Sequence, residues 1–203
     1  METGEKRSLL VAMTGASGSI YGVRFLQAIL EHYDRVYLTV SENAVTVIRS
    51  ELGIDFATDE TGRHALLGES CRKVEILSPQ DLTAPPASGS VRYDGMVIIP
   101  CSMGTAGRIA SGVSNDLVTR AADVCLKERR RLILVVRETP LNLIHLRNLA
   151  SLAEAGAVIL PAAPAFYNHP KTVEDMVAFV VARTMQQLGI TQELVPEWGG
   201  IVK

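Results

Sequence analysis

The sequence predicts a three-layer α/β domain on a mostly parallel sheet. Three observations carry that reading: short apolar runs recur along the chain, helical patterns separate them, and glycine-rich or polar residues follow the runs. Leu9-Leu10-Val11-Ala12-Met13 is the first run, closed by Thr14-Gly15, and Val23, Leu26, Ala28 and Leu30 then carry a helical pattern up to His32. Residues 36–40 form the next strand, with Ser41 as N-cap of a helix through Ala44, Val47 and Ile48 towards Glu51. Residues 53–92 mix charges with Gly, Pro and Ser, and predict an irregular excursion with one minor strand at 73–77.

Order returns at Met96-Val97-Ile98-Ile99, a strand buried on both faces, followed by Pro100-Cys101-Ser102-Met103-Gly104-Thr105 and a small-residue helix over 106–110. A helix is expected from Asn115 through Leu117, Ala121, Val124 and Leu126, ending in the basic cluster 127–131. A strand over 132–136, a helix over 142–155, a strand over 158–160, a loop over 161–170 and a helix over 173–188 complete the pattern. One domain is expected over 1–203, with its core at about 8–190 and a tail at 191–203. Alternating strands and helices imply parallel pairing with helices on both faces. Ligands on such sheets bind at the carboxyl ends of the strands, which here carry Gly15 to Gly18, Ser41, Ser102 to Thr105, Arg137-Glu138 and the 161–167 loop.

Composition narrows the function. A net charge of −2 and 5% aromatic residues favour small-molecule chemistry over nucleic-acid binding. No apolar run approaches the ~18 residues that span a bilayer, and residues 1–8 lack a leader's apolar stretch, so a soluble, unprocessed protein is expected. Cys71, Cys101 and Cys125 lack paired spacing, which favours a reduced, cytoplasmic setting. His145 and His169 are not spaced as metal ligands, and no metal site is expected.

Gly15 and Gly18 frame a turn whose backbone N–H groups can approach an anion at a helix N-terminus. The pattern TGASG is neither the dinucleotide fingerprint nor a P-loop. Ser41 stands where an acidic residue would hold the ribose of NAD, which suits a mononucleotide better. Ser102 to Thr105 offers hydroxyls for a phosphate or ring amide, or a helix cap. At the rim, Arg137 can fork onto phosphate oxygens and Glu138 can exchange protons, or the two can form a structural ion pair. Tyr167 is a phosphate-hydroxyl donor or a packed aromatic. By position alone Arg183 is a surface charge, and Trp198 covers an apolar ligand or a neighbouring subunit.

The segments AMTGASGSIYG, APPASGS, IIPCSMGT, NDLVTRAADVCLKERRRLILVVRETPL and GAVILPAAPAFYNHP together resemble the UbiX-type flavin prenyltransferases, from about Leu10 to Trp198. The resemblance implies a Rossmann-type, flavodoxin-like domain assembled as a homododecamer. The implied reaction is transfer of a dimethylallyl group from dimethylallyl monophosphate to N5 and C6 of reduced FMN. Its product, prenylated FMN, serves a UbiD-type decarboxylase in quinone biosynthesis or aromatic-acid breakdown. By motif, Gly15, Ala16, Ser17, Ser41, Ser102, Met103, Gly104, Thr105 and Arg137 would contact FMN, with the flavin phosphate at the Gly15 to Gly18 turn. Lys127, Tyr167 and Arg183 would hold the prenyl phosphate, with Arg120 and Glu138 close by, Ser88 in the wall and Trp198 near the prenyl group. Glu51 matches a glutamate that assists proton handling with Ser17. The phosphate, Glu138 and Glu51 are the candidate acceptors of the C6 proton.

Two other readings are weighed against this one. An FMN-dependent decarboxylase of the phosphopantothenoylcysteine type would carry a PASANT-like segment and a histidine near its second helix; here the loop reads Pro-Cys-Ser-Met-Gly-Thr and residues 42–52 hold no histidine. A noncatalytic flavin carrier would leave Lys127, Glu138 and Arg183 without a chemical duty.

Overall fold

The computed structural model describes residues 7–56 and 60–196. Six strands, β1 (Ser8–Met13), β2 (Arg35–Val40), β3 (Val74–Leu77), β4 (Gly95–Cys101), β5 (Arg131–Val136) and β6 (Val158–Pro161), form one sheet in the order β3-β2-β1-β4-β5-β6. Every pairing is parallel, with Leu10 opposite both Tyr37 and Met96. Among the described residues seven α-helices accompany them: α1 (Ser19–Ile29), α2 (Glu42–Leu52), α3 (Glu60–Leu67), α4 (Met103–Ala110), α5 (Leu117–Lys127), α6 (Leu143–Glu154) and α7 (Val173–Gln187).

The strand period of two divides the core. Leu9, Val11 and Met13 face the layer of α1, α2 and α7, where Phe25, Ile48 and Val180 are buried. Leu10 and Ala12 face the layer of α4, α5 and α6, where Ile109, Ala121 and Leu152 are buried. Strand order reverses between β1 and β4, so their carboxyl ends open the crevice in which doubly wound sheets bind ligands.

Thr14 ties the two sides of that crevice together. Its hydroxyl donates to the Pro100 carbonyl at 2.9 Å and accepts from the Ser102 N–H at 2.8 Å, while its own N–H reaches the same carbonyl at 3.2 Å. Thr14 is buried, so these polar groups would otherwise go unsatisfied away from water.

Three expectations are corrected. The excursion after Gly53 contains α3 and a 3₁₀ turn (Gly68–Lys73) ahead of β3, and Leu66 and Leu67 anchor α3 in the core. Eight residues with Gly62 inside are too short for helical periodicity to stand out. Helix α4 begins at Met103 rather than 106 because Ser102 caps it. Helix α5 begins at Leu117 because Asp116 is extended and closes a capping box with Thr119.

Candidate active site

At α1, Gly18 is the N-cap with φ 104°, a left-handed backbone that side chains resist, and no side chain of its own caps the helix. Glu51, in the last turn of α2, fills that role from outside. Its carboxylate accepts the Gly18 N–H at 3.0 Å through either oxygen and the Ser19 N–H at 2.8 Å. Burial works against its ionised form, but hydrogen bonds from the Ser17 hydroxyl, the two N–H groups and the Ser19 hydroxyl hold Glu51 below the usual carboxylate range. The structure therefore brings Ser17 and Glu51 together.

A protein carboxylate thus takes the N–H groups of Gly18 and Ser19 at this helix start. The opening lies next to it. A cavity of about 410 Å³ sits across the ends of β1, β2 and β4, lined by Gly15, Ser41, Glu42, Asn43, Pro79, Gln80, Ser102, Gly104, Thr105, Arg108 and Asp116. Two helix N-termini open into it. Ser41 Oγ caps α2 by accepting the Ala44 N–H, and Ser102 Oγ caps α4 by accepting the Thr105 N–H, each at 3.3 Å. Both termini favour negative charge. Gly15 is required in the wall, since a Cβ there would lie 2.6 Å from the Asn43 Cβ. Ala16 and Met103 are buried beside the cavity and do not line it.

Losing the Glu51 cap has a pH-dependent cost. A carboxylate held below its ordinary value of 4.5 contributes stability above that pH and loses it as the pH falls through the folded-state value. Glu51→Ala is expected to cost about 1 kcal/mol at pH 7, a typical cap contribution, with the gap to wild type narrowing below pH 4.5. Urea unfolding at pH 7 and in mild acid measures it; an equal gap at both would show that charge is not what the α1 N-terminus needs.

Arg137 and Glu138 are exposed just beyond β5, and the Arg137 N–H extends the ladder to the Cys101 carbonyl at 3.3 Å. Arg137 also faces Tyr21, whose phenol is raised by burial while the arginine charge opposes the rise. Tyr167 packs edge-on against Phe179 of α7, ring centres 6.0 Å apart. Phe179 and Arg183 line a second cavity, of about 310 Å³, along β6.

Lys127, Arg120 and Ser88 lie elsewhere. Helix α5 starts beside the 410 Å³ cavity at Asp116 and carries Lys127 about 16 Å away at its far end. The loop before β4 is pinned along this helix and past its end: Arg120 Nε, in the first turn of α5, donates to the Ala87 carbonyl at 3.0 Å, and Arg130 Nη2, beyond the helix, to the Gly89 carbonyl at 2.6 Å. Arg130 stacks on Tyr93, Lys127 pairs with Glu128, and Ser88 Oγ bonds Ser90 Oγ at 2.8 Å. Six residues of β5, about 20 Å of strand, separate this end from Arg137. Among the described residues Lys127 is therefore held apart from the rim at the carboxyl ends of the strands. Trp198 lies outside the described residues.

Sequence reasoning missed Glu42, Asn43, Pro79, Gln80, Arg108 and Asp116 in the cavity wall. Arg108 stands three residues after Thr105, a spacing that places both on one helix face and could have marked it. The thiols of Cys101 and Cys125 play no part in the cavity: burial pushes them up to about 12 and about 11.

The sequence profile of the flavoprotein family matches residues 1–185. A flavin prenyltransferase UbiX of Pseudomonas aeruginosa is 46% identical over 195 residues, covering 94% of this chain and 93% of that protein. The chain belongs to the UbiX-type flavin prenyltransferase family. Two solved structures share the UbiX fold along nearly its whole length. AnUbiX in complex with FMN and dimethylallyl pyrophosphate is 39% identical with a TM-score of 0.86, covering 97% of this chain and 100% of that one. A dodecameric FMN-dependent UbiX-like decarboxylase from Escherichia coli O157:H7 is 43% identical with a TM-score of 0.84, covering 95% and 100%.

Proposed function

We infer that this chain is a flavin prenyltransferase that moves a dimethylallyl group from dimethylallyl monophosphate to N5 and C6 of reduced FMN. The observation that carries the reading is the switch-point cavity between two helix N-termini, in a chain whose relative AnUbiX was solved with FMN and dimethylallyl pyrophosphate. Its size lies within the range of small-molecule sites, and its hydroxyl caps suit a nucleotide phosphate. Gly15, Ser41, Ser102, Gly104 and Thr105 would hold FMN, with Arg137 at the flavin and Ala16 and Met103 behind the wall.

Reduced FMN supplies the nucleophilic positions. Lys127, Tyr167 and Arg183, with Arg120 beside them, receive the departing phosphate, which leaves with the electron pair of the broken C–O bond; cations aimed at it lower that barrier. Ser88 and Trp198 complete the wall. Glu51 is a weak base because four donors already stabilise its charge, so it orients Ser17. Closing the second bond uses the electron pair of the allyl double bond: one alkene carbon bonds C6 as the other takes up a proton, and the C6 proton then falls to the phosphate or to Glu138.

The separation of Lys127 from Arg137 supports a site assembled from several copies. Leu141, Leu143, Ile144 and Leu146, at the start of α6, are all exposed, Ile144 by 68%, and such a patch suits subunit contact. A homododecamer is the proposed assembly, matching the E. coli relative. Among the described residues no helix is long and apolar enough to cross a membrane; the proposed setting is the cytoplasm, the proposed recipient of the product a UbiD-type decarboxylase, and the proposed organisation one domain with its core at 8–190.

Anaerobic incubation with reduced FMN and dimethylallyl monophosphate, followed by mass analysis of the extracted flavin, tests the activity. A gain of one isoprene unit is expected. Bound flavin of unchanged mass would overturn the transferase reading and favour a carrier.

A further inference from the structure

We propose that Arg108 is the residue by which this chain selects a phosphorylated flavin over an unphosphorylated one. The inference deepens the proposed function and rests on its placing of FMN in the switch-point cavity.

Among the described residues lining that cavity, Arg108 alone is positively charged, while Glu42 and Asp116 are acidic. Without Arg108 a phosphate would meet two carboxylates and no cation. The guanidinium is held for the task. Nη1 donates to Asp116 Oδ2 at 2.5 Å and to Asn115 Oδ1 at 3.1 Å, and Nη2 reaches Thr105 Oγ1 at 3.4 Å. Asp116 is itself fixed, because Oδ1 accepts the Thr119 N–H at 2.8 Å and the Thr119 hydroxyl at 2.7 Å as the cap of α5.

One edge of the arginine is thus anchored, and donors remain on a group that offers five. The long bond from Nη2 points to the hydroxyl of Thr105, one of the groups lining the cavity at the α4 N-terminus. A phosphate placed between the α2 and α4 termini would take a hydrogen bond from Nη2 in which both partners are charged, stronger than the long one to a neutral hydroxyl that it replaces. Riboflavin has no such group.

Equilibrium binding of FMN and of riboflavin, read by flavin fluorescence, tests this in the full-length wild type, Arg108→Ala and the double variant Arg108→Ala/Asp116→Asn. Wild type is expected to prefer FMN at least about tenfold, and Arg108→Ala to lose about 10–100-fold in FMN affinity with riboflavin affinity kept within about twofold. Retained riboflavin binding shows that the variant is folded. The double variant removes the carboxylate left unpaired and is expected still to bind FMN at least about tenfold more weakly than wild type. Parallel losses for both flavins, no loss for either, or full recovery in the double variant would overturn the proposal. Failure of wild type to bind FMN would instead overturn the underlying placement of the flavin.

Discussion

Lys127→Ala is expected to lower prenyl transfer by about 10²–10³-fold, as removal of a charge-stabilising donor does in other sites, while FMN binding stays near wild type. The distance between Lys127 and Arg137 sharpens the expectation. Lys127 and Arg137 lie at opposite ends of β5, so the proposed site would draw them from different copies of the chain. Lys127→Ala and Arg137→Ala proteins, each nearly inactive, should therefore complement when unfolded together and reassembled. With random mixing about one quarter of the sites would regain both residues, as expected for symmetric assemblies with shared sites. Activity of the mixture equal to the mean of the two separate variants would show that each chain completes its own site.

The second large effect concerns the proton. Glu138→Gln is expected to reduce turnover by about 10²–10³-fold with little change in KM, the signature of a lost acid-base group. Glu51→Gln is expected to cost less, because the wild-type carboxylate spends its charge on Ser17, Gly18 and Ser19. Single-turnover rates of the two variants, measured on preformed FMN complexes, rank them. A larger loss at Glu51 would move the base from the end of β5 to the end of α2. An unchanged rate in Glu138→Gln would leave the departing phosphate as acceptor.

Much of the fold is legible in the sequence because its signals are local. A buried parallel strand is a continuous apolar run, and Ser41, Ser102, Asp116, Asn142 and Thr172 cap five helices by short-range bonds. Helix α3 was not legible, since eight residues broken by Gly62 carry too little periodicity and are held by Leu66 and Leu67 in the distant core.

The candidate site divides the same way. Gly15, Ser41 and Ser102 follow strand ends directly, and strand ends share a rim. Lys127 does not follow a strand but precedes one, and a helix that returns the chain to the start of β5 must carry its last residue to the opposite end of the sheet. That signal lay in the order of elements rather than in any motif. Glu51 at the α1 N-terminus is a contact across 33 residues of sequence, which no local pattern encodes. Arg108 was concealed by the small residues around it.

The buried Thr14 hydroxyl bears on which oxygens remain free to react. It stands beside the glycine turn, among the residues nearest to the proposed chemistry, yet its hydrogen is committed to Pro100 and a lone pair to Ser102. A hydroxyl with both roles occupied has no proton to lend a reactant. Thr14 is thus a fastening rather than a reagent, and a valine of almost the same shape would loosen both loops of the crevice without removing any group that could touch the flavin.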